Sequence, residues 1–326
     1  MNQTKKIAII TENFISVWRP SDIKSFLGGC QECVVSIAEA FSRQNHFVHV
    51  FLHGPTKSET EKYNSVEYKD FSLFSVSDNY NTIILFKINP LPEDERLNNA
   101  NVIFWSSDVQ TTVQPNRYIK KYVCLSQYHK NRNGWPTAHV FPHGIDITSL
   151  LHNNQDKDSM TMLYCSSPDR GLPKLIEEWL HLKSFCPDMK LFITYGFKIT
   201  KQIMGKTFDV VREDEEALIK LCAVHNIDYL SDISKDELEK LYWKCQYWVL
   251  PLANPDSELF CLSAIKAQFC KCTPVIYKKG ALTETVGDYI DFDDFIRGDT
   301  TLRKAENRPP VYSWDDVVEK FWKEII

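Results

Sequence analysis

Short apolar runs alternate along the whole chain with stretches whose apolar positions recur at helical spacing. The runs Lys6–Ile10, Phe47–Gly54, Asn81–Lys87, Asn101–Trp105 and Lys121–Ser126 are short and rich in β-branched and aromatic residues, which predicts strands. Between the first two, Val34, Ile37, Ala38 and Phe41 fall at i, i+3, i+4 and i+7, one face of a helix over Cys30–Gln44. A second series opens with the strand Thr161–Ser167. It continues through a helix marked by Leu172, Leu175, Ile176 and Trp179, the strand Met189–Gly196 and the helix Ser234–Cys245. The strand Tyr247–Leu252, the helix Phe260–Phe269 and the strand Thr273–Lys278 follow. Strands alternating with helices predict an α/β protein whose parallel sheets are covered on both faces.

The pattern divides into two domains, 1–150 and 151–326, with the polar run His152–Ser159 as linker. The second is expected to close on an amphipathic helix over 313–326, opened by Ser313 with Asp316 three residues later, a loose capping box. No low-complexity tract or short repeat interrupts the series.

With 326 residues, 43% hydrophobic and 25% charged, the chain has globular composition and the length for two cores. Its net charge of −5 is spread along the sequence, so no basic field exists to attract nucleic acid. No segment approaches the roughly 18 apolar residues of a membrane span, and the first residues lack a signal-peptide core. A cytoplasmic protein is expected. Ten cysteines in that setting read as reduced packing thiols. Cys30 and Cys33 have C-x-x-C spacing, but no second cysteine pair or histidine pair completes a metal site. Cys270 and Cys272 read as core thiols too.

Three loops are written for a phosphate-bearing ligand, because each opens a helix whose first amides point outward. Gly28 and Gly29 precede the first helix, where the missing side chains let a ligand approach the backbone. After the strand Thr161–Ser167, Arg170 stands beside Gly171 at a helix start as an anion partner. After Tyr247–Leu252, Glu258 precedes a helix whose first amides belong to Phe260, Cys261 and Leu262. A plain turn and a surface arginine are the structural alternatives for the first two.

The order and spacing of these loops resemble the family 4 retaining, nucleotide-sugar-dependent glycosyltransferases, which have the GT-B fold of two facing Rossmann-like domains. The resemblance is carried by the glycine loop and helix from Gly28, by FPHGID at Phe141–Asp146, by SSPDRGLPKLIEEW at Ser166–Trp179, and by the stretch from Ile233 to Asp288. It implies that amides of the glycine loop and of the helix after Glu258 hold the donor diphosphate, with Ser166 and Arg170 on the RG turn. It also implies that Glu258 accepts hydrogen bonds from donor-sugar hydroxyls, on the wall opposite Arg170. The family's second acid, which binds the ribose diol, falls eight residues later, where this chain has Lys266. Transfer with retention, aided by electrostatic stabilisation of the departing diphosphate and without metal or other cofactor, follows from the same resemblance.

The departures are specific. A family glycine is Cys261 here, another is Lys271, and a basic residue ahead of the RG turn aligns with Cys165 and Ser166. A family histidine aligns near Ser107, with Asp108 the nearest polar substitute. Lys266 is a donor only and cannot accept from a diol, so it either replaces the missing cation or marks a decayed site. Asp291 and Asp293 copy a metal-binding D-x-D string after the last signature strand.

Acceptor contacts are sought in the first domain, where Phe14, Trp18 and Arg19 precede the glycine loop. An aromatic face stacks on a sugar ring and an arginine meets hydroxyls or an anion, although an aromatic in a loop also packs beneath it. The resulting expectation is a hexosyl- or pentosyltransferase using a nucleotide sugar and a glycan or glycosylated acceptor. The alternative is a glycosyltransferase-like binding or scaffold protein without turnover. No nucleic-acid partner is expected, and membrane association has no support beyond the short basic stretch Arg117–Tyr122.

Overall fold

A computed structural model of the protein describes residues 3–12, 17–24, 27–54, 60–109, 116–195, 216, 219–222, 225, 227–306 and 308–326. The chain forms two units. Unit 1 is Met1–Ile23, Leu27–Asp146 and Tyr312–Ile326, and the body of unit 2 is Ile147–Val311.

Unit 1 contains an eight-stranded sheet in the order β3-β4-β2-β1-β5-β6-β7-β8. Its strands are β1 (Lys6–Glu12), β2 (Phe47–His53), β3 (Thr60–Tyr63), β4 (Val66–Asp70), β5 (Thr82–Phe86), β6 (Asn101–Trp105), β7 (Ile119–Cys124) and β8 (His139–Val140). Every pairing is parallel except the edge hairpin of β3 with β4. Ile7 to Ile10 and Ile83 to Phe86 are almost wholly buried, as fits continuous apolar runs in a sheet covered on both faces. The face predicted for the first helix, α1 (Gly29–Arg43), is the one buried: Val34, Ile37, Ala38 and Phe41 lie in the core. The hairpin escapes a reading by apolar runs because Thr60–Tyr63 alternates exposed and half-buried residues at the sheet edge.

α2 (Gln127–Asn133) follows β7, and α3 (Ile147–His152) begins the body of unit 2. Unit 2 then builds a six-stranded sheet in the order β11-β10-β9-β12-β13-β14, all parallel. Its strands are β9 (Asp158–Tyr164), β10 (Lys190–Ile193), β11 (Ile227–Tyr229), β12 (Cys245–Leu250), β13 (Thr273–Ile276) and β14 (Ile290–Asp291). Helices α4 (Leu172–Phe185), α5 (Lys235–Lys244), α6 (Leu262–Phe269), α7 (Leu282–Thr285) and α8 (Phe292–Ile296) intervene. α5 starts with a complete capping box, in which Ser234 Oγ accepts from the Glu237 amide while the Glu237 carboxylate accepts from the Ser234 amide.

Two features differ from the domain plan expected of the sequence. The polar run His152–Ser159 is not a tether but part of unit 2. Gln155 Nε2 donates to the Lys240 carbonyl at 2.6 Å, Lys157 Nζ to the Tyr242 and Cys245 carbonyls at 2.6 and 2.8 Å, and Asp158 begins β9. The final helix, α9 (Trp314–Glu324), belongs to unit 1 and not to the second domain. Its capping box forms as its sequence predicts, with Ser313 Oγ accepting from the Asp316 amide and the Asp316 carboxylate accepting from the Ser313 amide. The Phe321 ring lies 5.4 Å from Trp105 in a parallel stack and 5.7 Å edge-on from Phe41, and Arg43 of α1 pairs with Asp315 at 2.9 Å. Gly144 makes the return possible, because a β-carbon there would stand 2.8 Å from Trp314 N.

Candidate functional site

In unit 2 the strand order reverses between β9 and β12: the chain moves from β9 outward to β10 and β11, then returns to β12 on the other side. Loops leaving the carboxyl ends of strands at such a reversal are where open α/β sheets hold ligands. The turn after β9 carries Arg170, and the loop after β12 carries Glu258.

Arg170 and Glu258 are not on opposite walls. Arg170 Nη1 donates to Glu258 Oε2 at 2.5 Å across 88 residues of sequence. The glycine of the RG turn explains the approach. Gly171 has φ +121°, and a β-carbon on it would run into the carbonyl of Pro251. On its other side the same loop is pressed by Gly280, at φ +57°, whose β-carbon would stand 2.9 Å from Pro255 Cβ. Between the two glycines the loop is stitched by its own bonds. Asn254 Oδ1 accepts from the Asp256 amide at 3.0 Å, Ser257 Oγ donates to the Asn254 carbonyl at 2.7 Å, and Lys279 Nζ donates to the Ala253 carbonyl at 3.0 Å.

The carboxylate is the buried partner: the Glu258 side chain is 7% exposed and that of Arg170 35%. Burial works against the guanidinium charge, but the Glu258 and Asp169 carboxylates raise the Arg170 pKa above its ordinary value. Burial, followed by the Glu258 charge, pushes the Cys261 thiol well up, so it stays protonated. Its Sγ lies 3.4 Å from Ser263 Oγ.

Two helix starts face this neighbourhood without a side-chain cap. α4 is capped by Gly171 and α6 by Cys261, neither of which offers an oxygen. α6 starts at Leu262, so Phe260 precedes the helix and Lys266 stands about one turn into it. Lys266 is only 9% exposed, and its charge is felt at two thiols, Cys165 on the β9 turn and Cys270 at the end of α6. Burial holds the Cys165 thiol up at about 11, against the hydrogen bond it shares with the Tyr242 hydroxyl at 3.2 Å. Ser166 beside it is buried. The structure thus places Arg170, Glu258 and Cys261 together, and sets Lys266 near the turn where the aligned cation is absent.

In unit 1, Gly28 is the N-cap of α1 with φ −64° and ψ 152°, again without a side-chain cap. A β-carbon on Gly29 would meet nothing within 4 Å. Packing therefore does not demand glycine there. Trp18 departs from the sequence reading. It is 4% exposed and packs edge-on against Tyr68 of β4 at 6.3 Å, so its ring serves the core and offers no sugar-stacking face. The cause is the edge hairpin, which supplies Tyr68. Arg19 is exposed, and its amide donates to Asp22 Oδ2 at 2.7 Å. Phe14 lies outside the described residues.

The D-x-D string has a structural role. Asp291 caps α8 by accepting from the Asp293 amide at 3.1 Å and pairs with Arg303 at 3.5 Å, while Asp293 accepts from the Tyr277 hydroxyl. Among the described residues no group of three or more His, Cys, Asp or Glu could hold a metal ion. The described residues include all ten cysteines; none forms a disulfide, and seven are buried. No described helix is long and apolar enough to cross a membrane.

No protein-family model matches the chain, and no curated protein is significantly similar to it in sequence. Solved structures do match. A glycosyltransferase involved in avilamycin A biosynthesis superposes with TM-score 0.64 at 13% identity, covering 98% of this chain and 96% of that one. Sucrose-phosphate synthase from Thermosynechococcus elongatus gives 0.60 at 12% identity, covering 98% and 90%. HepE from Anabaena, solved with UDP and glucose, gives 0.57 at 14% identity, covering 98% and 90%. At these identities the likeness concerns fold, and the fold is GT-B.

Proposed function

We propose that the chain is a nucleotide-sugar-dependent glycosyltransferase of the family 4 type that holds its donor on unit 2 and transfers a hexosyl or pentosyl group to a glycan or glycosylated acceptor with retention. The observation that carries this reading is the Arg170–Glu258 pair, held across the strand-order reversal by Gly171 and Gly280 and flanked by two helix starts without side-chain caps. The likeness to sugar transferases, and to a protein solved with UDP and glucose, supports the reaction class.

In this reading the diphosphate takes its hydrogen bonds from the amides at the starts of α4 and α6 and from Arg170. Those fixed dipoles stabilise the charge that develops on the departing diphosphate. As the anion draws Arg170 outward, the Glu258 carboxylate is released to accept from donor-sugar hydroxyls. Lys266 supplies the second positive charge near the β9 turn. Arginine, lysine and amides do here what a divalent ion does elsewhere, so transfer is expected to continue in excess EDTA. Restoration of a chelator-killed activity by Mg²⁺ or Mn²⁺ would refute that part. A reducing cytoplasm suits ten cysteines without a disulfide.

The test is a thermal-shift and calorimetry panel of UDP, GDP, ADP and their glucose conjugates. At least one nucleotide is expected to stabilise the protein, Arg170→Ala to weaken it, and Glu258→Ala to spare the free nucleotide while abolishing transfer. A second reading, binding without turnover, is favoured by one observation: Arg170 and Glu258 already satisfy each other. Nucleotide-sugar binding with neither transfer nor hydrolysis would select it.

A further inference from the structure

Unit 1 has its own reversal of strand order, between β1 and β5, since β1 pairs with β2 on one side and β5 on the other. A charged cluster spans that point. Glu12 is the last residue of β1, Lys87 follows β5 directly, and Asp108 follows β6. Lys87 Nζ lies 2.8 Å from Glu12 Oε1 and 2.7 Å from Asp108 Oδ2.

The cluster is tightly set. The Lys87 amide donates to the Trp105 carbonyl at 3.1 Å, with its backbone turned to φ +73°. The Asp108 carbonyl accepts from Ser106 Oγ at 2.9 Å and from His129 Nε2 at 2.9 Å. His129 Nδ1 accepts from the Leu125 amide at 3.2 Å, which leaves the ring proton on Nε2 for Asp108. Cys30, in the first turn of α1 beyond the glycine loop, reaches Ser107 Oγ at 3.9 Å. Burial opposes the Lys87 charge, yet the Asp108 and Glu12 carboxylates raise its pKa, so the ammonium persists.

Exposure decides what the cluster can recognise. The side chains are 13% exposed at Lys87, 25% at Glu12 and 53% at Asp108. The cation is sunk and engaged by two acids, and of the three side chains the carboxylates are the more exposed. Carboxylate oxygens accept hydrogen bonds from hydroxyl or ammonium groups and repel phosphate and carboxylate.

We propose that Glu12 and Asp108, held in place by Lys87, form a sugar-hydroxyl site on unit 1 that takes neutral or amino sugars and rejects phosphorylated or acidic ones. Within the proposed function this is the acceptor side. Its place in the reaction rests on that reading, whereas sugar binding does not. Lys87 is a positioning residue, and the two carboxylates are the contacts.

Saturation-transfer NMR on the full chain, with glucose, glucosamine and glucose 6-phosphate as probes and saturating UDP present, tests the proposal. Glucose and glucosamine are expected to bind at least about tenfold more tightly than glucose 6-phosphate, as for hydrogen bonds to charged groups. Asp108→Asn and Glu12→Gln should each weaken glucose by roughly tenfold and narrow the gap to the phosphate, with the UDP thermal shift unchanged. Equal or tighter binding of glucose 6-phosphate, glucose binding untouched in both variants, or no binding of either unphosphorylated sugar overturns it. If no nucleotide shifts the melting temperature while the sugar results hold, the transferase reading fails and this site stands.

Discussion

Both units carry an ion pair where their strand order reverses, but they bury opposite partners. In unit 2 the acid is inside and the arginine faces out, Glu258 at 7% and Arg170 at 35% exposure. In unit 1 the lysine is inside and the acids face out, Lys87 at 13% against Asp108 at 53%. The same kind of pair therefore presents opposite signs to a ligand. An outward guanidinium beside helix starts suits an anion, and outward carboxylates suit hydroxyls. The exposed partner, more than the presence of a salt bridge, tells what each edge recognises.

The comparison breaks most visibly under truncation of the two cations. Arg170→Ala strands a buried carboxylate and is expected to cost about 3–5 kcal/mol in urea unfolding. Lys87→Met leaves acids that water can reach and should cost no more than ~1 kcal/mol. Equal losses would show that the burial contrast has no energetic meaning. Next, Gly171→Ala sets a β-carbon against the Pro251 carbonyl at a positive φ, and about 2–3 kcal/mol is expected. Because that clash displaces the turn bearing Arg170, nucleotide affinity should fall with stability; an unaltered affinity would separate turn geometry from binding.

His143 sharpens the comparison on unit 1 alone. Burial, then the charge of His129, holds its pKa down at about 3, against the opposing influence of Glu32. Since the folded ring stays neutral while the unfolded one protonates near its ordinary value, stability is full above about pH 6.5 and is lost as pH falls towards 3. At pH 5 the loss is about 2 kcal/mol, and His143→Gln should flatten that part of the acid limb measured by chemical denaturation. A limb of unchanged slope would remove His143 from the account. The smallest effect is expected at Lys266. Lys266→Ala should weaken nucleoside diphosphate binding by about 1.5 kcal/mol and Lys266→Glu by more, while tighter binding in Lys266→Glu would mark the lysine as a lesion in an older two-acid site.

Much of this is legible in the sequence wherever a local pattern decides structure. Continuous apolar strands, the buried stripe of α1 and the Ser313 capping box depend on neighbours a few residues away. The pairing of Arg170 with Glu258 does not, because it depends on Gly171 meeting Pro251, two loops brought together only once β9 and β12 lie side by side. Lys87, Glu12 and Asp108 sit at three strand ends and share no motif. Trp18 escapes for the same reason: whether an aromatic faces solvent depends on what covers it, and here the cover is Tyr68, from an edge hairpin that apolar periodicity does not reveal.

The return of α9 to unit 1 has a consequence for how the protein is made. Unit 1 is assembled from segments on both sides of Ile147–Val311, a stretch of 165 residues. At about 5–20 residues per second, a ribosome needs roughly ten to thirty seconds to produce that stretch. Throughout this interval Trp105 and Phe41 lack the Phe321 ring that packs on them, and Gly144 awaits the segment it is shaped to meet. The half that begins synthesis first thus closes only after the other half has emerged, and its uncovered aromatic surface is the part of the nascent chain a chaperone would have most reason to hold.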